Sequence, residues 1–122
     1  MIRTTYLSNL RNVSCEHAYL IARVIPKKLG GVGAMSELSP SSKLLRRYKE
    51  GLDFGSFREA FKEELFSSES SVAALNELYR RSENGEDIVL CCYEKDASTC
   101  HRSIIAELFR SVGLDCEEIA AP

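Results

Sequence analysis

The residues of this sequence that could do chemistry concentrate between Cys91 and Arg102. Three of the five cysteines, Cys91, Cys92 and Cys100, fall in this segment, and Cys100 is followed directly by His101 and Arg102. A thiol, an imidazole and a guanidinium can supply a nucleophile or redox thiol, a proton acceptor and an anion ligand. We therefore predict the functional site at this turn, with Cys100 and His101 as its candidate catalytic residues.

The position of this turn ahead of a helix supports that prediction. The polar run Glu94–Thr99 leads into an apolar helical stripe that begins at Ile104. If Ser98 or Thr99 is the N-cap, the Cys-His-Arg residues occupy the first turn, where backbone N–H groups lack helical partners. The positive end of a helix favours an anion and lowers the pKa of a nearby cysteine. We therefore expect Cys100 to be the reactive cysteine, with Arg102 as an anion ligand.

Spacing limits what the neighbouring side chains can do. Cys91 and Cys92 are adjacent in an apolar strand, so they point to opposite faces, and both are interpreted as core residues. Successive helical residues diverge by about 100°, so the side chains of Cys100 and His101 are not expected to meet. Other bases could serve Cys100, namely Glu94, Asp96 or His17.

The surrounding pattern predicts the elements that position this segment. Short apolar runs predict strands at Ile2–Leu7, Tyr19–Ile25, Asp87–Tyr93 and Asp115–Ile119. A glycine-containing loop is predicted over Lys27–Glu37. Helices are predicted after Ser39-Pro40, after a capping box at Ser56 and Glu59, around Val72–Tyr79, and from the Cys-His-Arg turn to Gly113. The predicted fold is a single α/β domain over residues 1–122, with a mostly parallel sheet of about four strands covered by helices.

Composition narrows the class of protein and of partner. A net charge of −2 argues against a dominant attraction to nucleic acid or to an anionic membrane. The N-terminal residues lack the apolar run of a secretory signal, and no apolar stretch is long enough to span a membrane. We therefore expect a cytoplasmic protein with free thiols.

Several stretches resemble the domain-of-unknown-function family 488. The run LCCYEKDASTCHRSIIAELF is similar to the C-terminal hallmark of that family, and ELSPSSKLLRRYKEG is similar to its proline-containing helix start. The resemblance implies a compact α/β fold with the Cys-His-Arg turn at the site, but it implies no activity. The positions matched to the family's motifs are Arg23, Pro40, Ser41, Tyr93, Glu94, Lys95, Cys100, His101 and Arg102. Of these, Arg102, Arg23, Tyr93, Glu94, Lys95 and Ser41 are the expected ligand-binding residues.

Three hypotheses of function follow, and the sequence leaves open whether the protein is an enzyme and what its oligomeric state is. The first is binding of a small anionic molecule, such as a phosphate ester or nucleotide, at the Cys-His-Arg turn. The second is a binding module for nucleic acid or protein that uses a basic face of Arg46, Arg47 and Lys49, with Lys27-Lys28. The third is a zinc-stabilised domain, whose ligands would be Cys92, Cys100 and His101 with Cys15 or His17. No metal or cofactor is assigned, because no paired zinc knuckle is present.

Overall fold

The computed structural model describes residues 1–28 and 30–122, and its centre is a parallel sheet. The strands are β1 (Ile2–Tyr6), β2 (His17–Leu20), β3 (Gly33–Ala34), β4 (Ile88–Cys92) and β5 (Cys116–Glu118). They lie in the order β3-β2-β4-β1-β5, and every neighbouring pair is parallel. The predicted α/β class with a mostly parallel sheet is confirmed.

Four α-helices follow from the apolar periodicity of the part of the chain that the structure describes. They are α1 (Ser42–Lys49), α2 (Phe54–Ser67), α3 (Glu69–Glu83) and α4 (His101–Ser111), and short 3-10 turns span Leu7–Asn12, Ser36–Leu38 and Ala97–Thr99. Among the described residues, none of the helices combines the length and the apolar character that a membrane-spanning helix needs.

Alternation along the strands divides the core between the two faces of the sheet. Ile88, Leu90 and Cys92 of β4 belong to the main core, together with Phe57 and Phe61 of α2. The intervening Cys91 lies on the other face, where Leu20 and Ala22 pack with Leu7 and Leu10 of the first 3-10 turn. The prediction that Cys91 and Cys92 point to opposite faces is therefore confirmed.

The connections leaving β2 and β4 open a crevice between these neighbouring strands. From β2 the chain continues to β3 at one edge of the sheet, whereas from β4 it continues through α4 to β5 at the other edge. Ligands of open parallel sheets bind where the connections diverge in this way, beyond the carboxyl ends of the strands. The strand–loop–helix segment that contains Cys100 lies at this point.

Two predicted segments differ from the structure. Strand β2 ends at Leu20, so Arg23 lies beyond the strand and not within it. The exposed Arg23 side chain instead donates to the carbonyls of Ser39 and Pro40, at 3.1–3.2 Å. In the predicted loop over 27–37, a two-residue strand β3 forms at the sheet edge, while Leu29 lies outside the described residues. A pair of small residues carries no strand signal of its own, which is why the sequence pattern missed it.

The helix N-caps also differ from those predicted. Ser41, and not Ser39, caps α1 by accepting from the Leu44 N–H at 3.1 Å. Asp53, and not Ser56, caps α2, since its carboxylate accepts from the Ser56 N–H at 2.9 Å. In both helices the residue before the first helical residue has an extended backbone, and its side chain can cap a helix as well as the predicted one.

Candidate functional site

The crevice beyond β2 and β4 has a volume of about 410 Å³, the size of a small-molecule site. Three chain segments meet at it, namely residues 22–24 after β2, residues 92–94 at the end of β4, and residues 99–101 at the start of α4. Helices α1 and α2 close the remaining side with Leu45, Tyr48, Lys49 and Phe57.

Two sulfur atoms lie at the floor of the crevice. The Sγ atoms of Cys92 and Cys100 are in direct contact, whereas Cys15, Cys91 and Cys116 are free thiols, as expected. The Cα atoms of Cys92 and Cys100 are 7.7 Å apart, whereas most disulfides span about 4.4–6.8 Å. The backbone therefore holds the two cysteines farther apart than most disulfides require.

His101 faces the same sulfur atoms, contrary to the sequence-based expectation. Its Nδ1 lies 3.9 Å from the Sγ of Cys100. The expectation assumed that both residues are helical, but Cys100 is the N-cap of α4 and has an extended backbone (φ −112°, ψ 145°). The predicted caps Ser98 and Thr99 belong instead to the preceding 3-10 turn, so the Cys100 side chain swings toward the imidazole.

The hydrogen bond on the far side of the imidazole fixes the tautomer of His101. Its Nε2 contacts the carbonyl oxygen of Ile21, which can only accept, so Nε2 carries the proton. Burial lowers the pKa of His101 to about 4, and the nearby positive charge of Arg102 acts in the same direction. The ring is therefore neutral at neutral pH, and the lone pair of Nδ1 points to the Cys100 sulfur.

Arg102 is fully buried, and its guanidinium donates only to protein groups. It binds the carboxylate of Glu118 on β5 at 2.9–3.3 Å, the carbonyls of Glu94 and Lys95, and the Sγ of Cys92 at 3.3 Å. These contacts occupy the five N–H donors of a guanidinium. An external anion could bind Arg102 only by displacing one of them, so the side chain positions the site, and its charge contacts Cys92 and not Cys100.

The other predicted ligand-binding residues are distributed unevenly. Arg23, Tyr93 and Glu94 line the crevice, and the Tyr93 hydroxyl donates to the Val24 carbonyl at 2.6 Å. Lys95 contributes only its carbonyl to Arg102. Ser41 does not line the crevice, and its hydroxyl and backbone N–H both donate to the Glu64 carboxylate.

The three remaining cysteines are separate from the crevice. Burial raises the pKa of Cys91 to about 12 and that of Cys116 to about 11, so both are protonated at neutral pH. Burial also raises the pKa of Cys15. Residues 15–17 lie where β2 begins, at the opposite end of the strands, and His17 pairs with Glu86 there. Cys15 and His17 therefore do not complete a zinc site with Cys92 and Cys100, as the sequence-based hypothesis required.

The basic face predicted on α1 is divided between two surfaces. Lys49 lines the crevice, whereas Arg47 lies in a groove on the other side of α1 that also contains Glu63 and Glu64. Carboxylates beside Arg47 reduce the attraction of that surface for phosphate. Binding of nucleic acid by this face stays a prediction.

A family model matches most of the chain. The model matches residues 2–113, and its description is an active subclade of DUF488-N3. The chain belongs to the DUF488-N3a family. The predicted relationship to family 488 is thereby confirmed. No curated protein and no solved structure matches the chain. Neither comparison, therefore, supplies a substrate or reaction for this DUF488-N3a protein.

Sequence reasoning missed several contributors to the site. Cys92 is a core residue, as predicted, but strand alternation also places its sulfur at the crevice floor beside Cys100. Tyr48 and Lys49 come from α1, far along the chain, and the Tyr48 hydroxyl donates to the Thr99 carbonyl at 3.3 Å. No local spacing indicates Glu118 as the partner of Arg102, because the pairing depends on how β5 and α4 pack.

We predict that Glu118→Gln destabilises the protein by about 2–3 kcal/mol. The change removes the charge opposite a fully buried guanidinium, and the cost stays below that of a fully buried pair because Glu118 is 32% exposed. Urea unfolding measures the effect. Glu117→Gln, on the outward side of the same strand, serves as the matched control and should change stability by less than about 0.5 kcal/mol. Equal stability of the two variants would contradict the assigned role of Glu118.

We also predict that the metal-free, reduced protein loses stability as the pH falls from 6.5 to 5. The unfolded histidine binds a proton below about 6.5, whereas the buried His101 stays neutral until about pH 4. The unfolded state therefore binds more protons in this window, and stability increases with pH. About 1.5–2 kcal/mol of stability is lost in this window, out of about 3 kcal/mol for the whole difference between the two pKa values. Urea unfolding at several pH values should give a flatter profile for His101→Gln, whereas the partly exposed His17→Gln serves as the control. An unchanged slope in His101→Gln would show that this histidine is not the titrating group.

Proposed function

We propose that the crevice binds a small anionic molecule, such as a phosphate ester or nucleotide, and that Cys100 reacts there as a thiol. The observation that supports this proposal is the convergence of Cys100 Sγ, Cys92 Sγ and His101 Nδ1 at the crevice floor. A cysteine needs a base within reach and access to a pocket in order to act as a nucleophile.

His101 is suited to accept the thiol proton of Cys100. The ring is neutral, its Nε2–H is held by the Ile21 carbonyl, and its Nδ1 lone pair lies 3.9 Å from the sulfur. Because the low pKa of His101 disfavours a standing thiolate–imidazolium pair, the ring would act as a general base that takes the thiol proton as the sulfur attacks. Apo distances of this kind shorten when a substrate is bound.

Cys92 allows the Cys100 thiolate a second reaction, the formation of a disulfide. Cys100 would first attack an oxidising substrate and form a covalent adduct. Cys92 would then attack the Cys100 sulfur, form the disulfide and release the reduced group, which keeps the electron pair of the broken bond. The two thiols thus lose two electrons and two protons to the substrate. Arg102 donates to the Cys92 sulfur at 3.3 Å and stabilises its thiolate for that second attack.

The walls of the crevice match an anionic ligand with a flat group. Arg23 and Lys49 supply two cations, while Glu94 supplies one carboxylate. The Arg23 contacts to Ser39 and Pro40 involve Nε and Nη2, and Nη1 makes no hydrogen bond to the described residues. Tyr93 is 48% exposed, and its ring is available to a planar ligand.

We predict that Cys100 of the reduced, metal-free protein alkylates faster than the buried Cys91 and Cys116. Cys91 and Cys116 are internal controls, since their raised pKa values keep them protonated. Iodoacetamide modification followed by peptide mass mapping should show Cys100 reacting at least about tenfold faster than either at pH 7, and His101→Gln should slow it by a similar factor. A Cys100 rate equal to that of the buried controls would overturn the thiol part of the proposal.

A second prediction concerns the anion. Inorganic phosphate and AMP should raise the Tm of the protein, and Lys49→Met or Arg23→Gln should weaken binding about tenfold or more, the worth of one charged hydrogen bond. Arg47→Gln is the matched control, because Arg47 lies on the same helix but in a different groove. Equal weakening by Arg47→Gln would indicate a general charge effect and would contradict binding in the crevice.

A further inference from the structure

The Cys92, Cys100 and His101 side chains form a ligand set as well as a reactive group. Their two sulfur atoms and a ring nitrogen all lie within 4.8 Å of one another, and all three residues are buried. Sulfur and imidazole nitrogen are the ligands that soft or borderline divalent ions such as Zn²⁺ prefer. A tetrahedral zinc with bonds of about 2.3 Å to sulfur and about 2.0 Å to nitrogen separates its ligands by about 3.5–3.8 Å.

The backbone spacing of the two cysteines suits a shared ion. Their Cα atoms are 7.7 Å apart, and a disulfide normally brings them closer. Once the pair is reduced, the sulfurs can separate to the distance that an ion requires without movement of the main chain. The third ligand atom, Nδ1 of His101, already lies near a coordinating position, 3.9 Å from the Cys100 sulfur.

The groups behind the three ligands are those that usually support a metal site. The Nε2–H of His101 is held by the Ile21 carbonyl, which fixes the ring and leaves Nδ1 as the coordinating atom. Arg102 donates to the Cys92 sulfur, as outer-shell donors do to thiolate ligands. Neither contact requires rearrangement before an ion binds.

We propose that the reduced Cys92–Cys100–His101 group binds one Zn²⁺ or similar divalent ion, with the fourth position open to the crevice. All three ligands line the crevice, so water or an oxygen of a small anion can complete the tetrahedron. Three protein ligands with one open position are the arrangement of exchangeable and catalytic zinc sites, whereas structural sites have four.

Metal binding and disulfide formation exclude each other, because each requires the same two sulfur atoms. Oxidation of the two thiolates by a two-electron oxidant would form the S–S bond, reduce the oxidant and release the ion. Binding of the ion to the reduced thiols would in turn protect them from alkylation and oxidation. This protective role rests on the proposed thiol function, whereas the binding of the ion does not.

The test is titration of the reduced, chelator-treated full chain with Co²⁺ and with Zn²⁺. One ion should bind per chain, and Co²⁺ should give sulfur-to-metal charge-transfer absorption together with the visible bands of a tetrahedral site. Cys92→Ser and His101→Gln should each lower the Zn²⁺ affinity by more than about 100-fold, since loss of even an outer-shell partner costs about 10- to 100-fold.

Cys91→Ala is the matched control, because Cys91 is adjacent in sequence but lies on the opposite face of the sheet. It should bind the ion as tightly as the wild type. Circular dichroism of each variant checks that it is folded, and Cys100→Ser replaces any variant that is not. Absence of a bound ion, Co²⁺ spectra without sulfur bands, or equal loss of affinity in Cys91→Ala would each overturn the proposal.

Alkylation separates this inference from the proposed function. If Zn²⁺ binds and also slows modification of Cys100 by at least about tenfold, both hold. If Cys100 is reactive and no ion binds, only the metal site is excluded. If the ion binds but the metal-free Cys100 is inert, the metal site holds and the thiol function is excluded.

Discussion

A fully buried guanidinium is the constraint on which the site depends. Removing the charge of Arg102 from water costs several kcal/mol unless it is paired and hydrogen-bonded. The structure meets this requirement with the Glu118 carboxylate, two carbonyls of the loop after β4, and the sulfur of Cys92. One side chain thus joins β4, β5 and the start of α4, and the chain cannot rearrange one of them without exposing a buried charge.

This network determines how the two cysteines and the histidine meet. The loop carbonyls bound to Arg102 fix the path of the chain between β4 and α4. The 3-10 turn Ala97–Thr99 follows, and it places Cys100 at the N-cap of α4 with an extended backbone. From that position its sulfur faces both Cys92 and His101. Had Cys100 been a helical residue, its side chain would have diverged from His101 by about 100°.

The same arrangement explains why thiol chemistry and metal binding are both reasonable for these atoms. Two sulfurs and an imidazole nitrogen at the floor of a crevice can pass electrons through a disulfide or share an ion, and the redox state of the sulfurs selects between them. Membership of the DUF488-N3a family, whose subclade is described as active, accords with a functional site in this chain. The side chains of Arg23 and Lys49 in the crevice walls bear on a separate part of the proposed function, namely the choice of ligand.

Sequence patterns alone predict the fold class, the main strands and helices, and the segment that forms the crevice floor. These follow from local periodicity, because alternation and helical spacing record which side of an element is buried. The tertiary structure alone decided the partners. It paired Arg102 with Glu118, turned Cys100 toward His101, selected Cys92 over Cys91, and separated Ser41, Cys15 and His17 from the site. Periodicity encodes burial but not which distant side chains meet, since that depends on strand order, on register and on the backbone conformation at a helix cap.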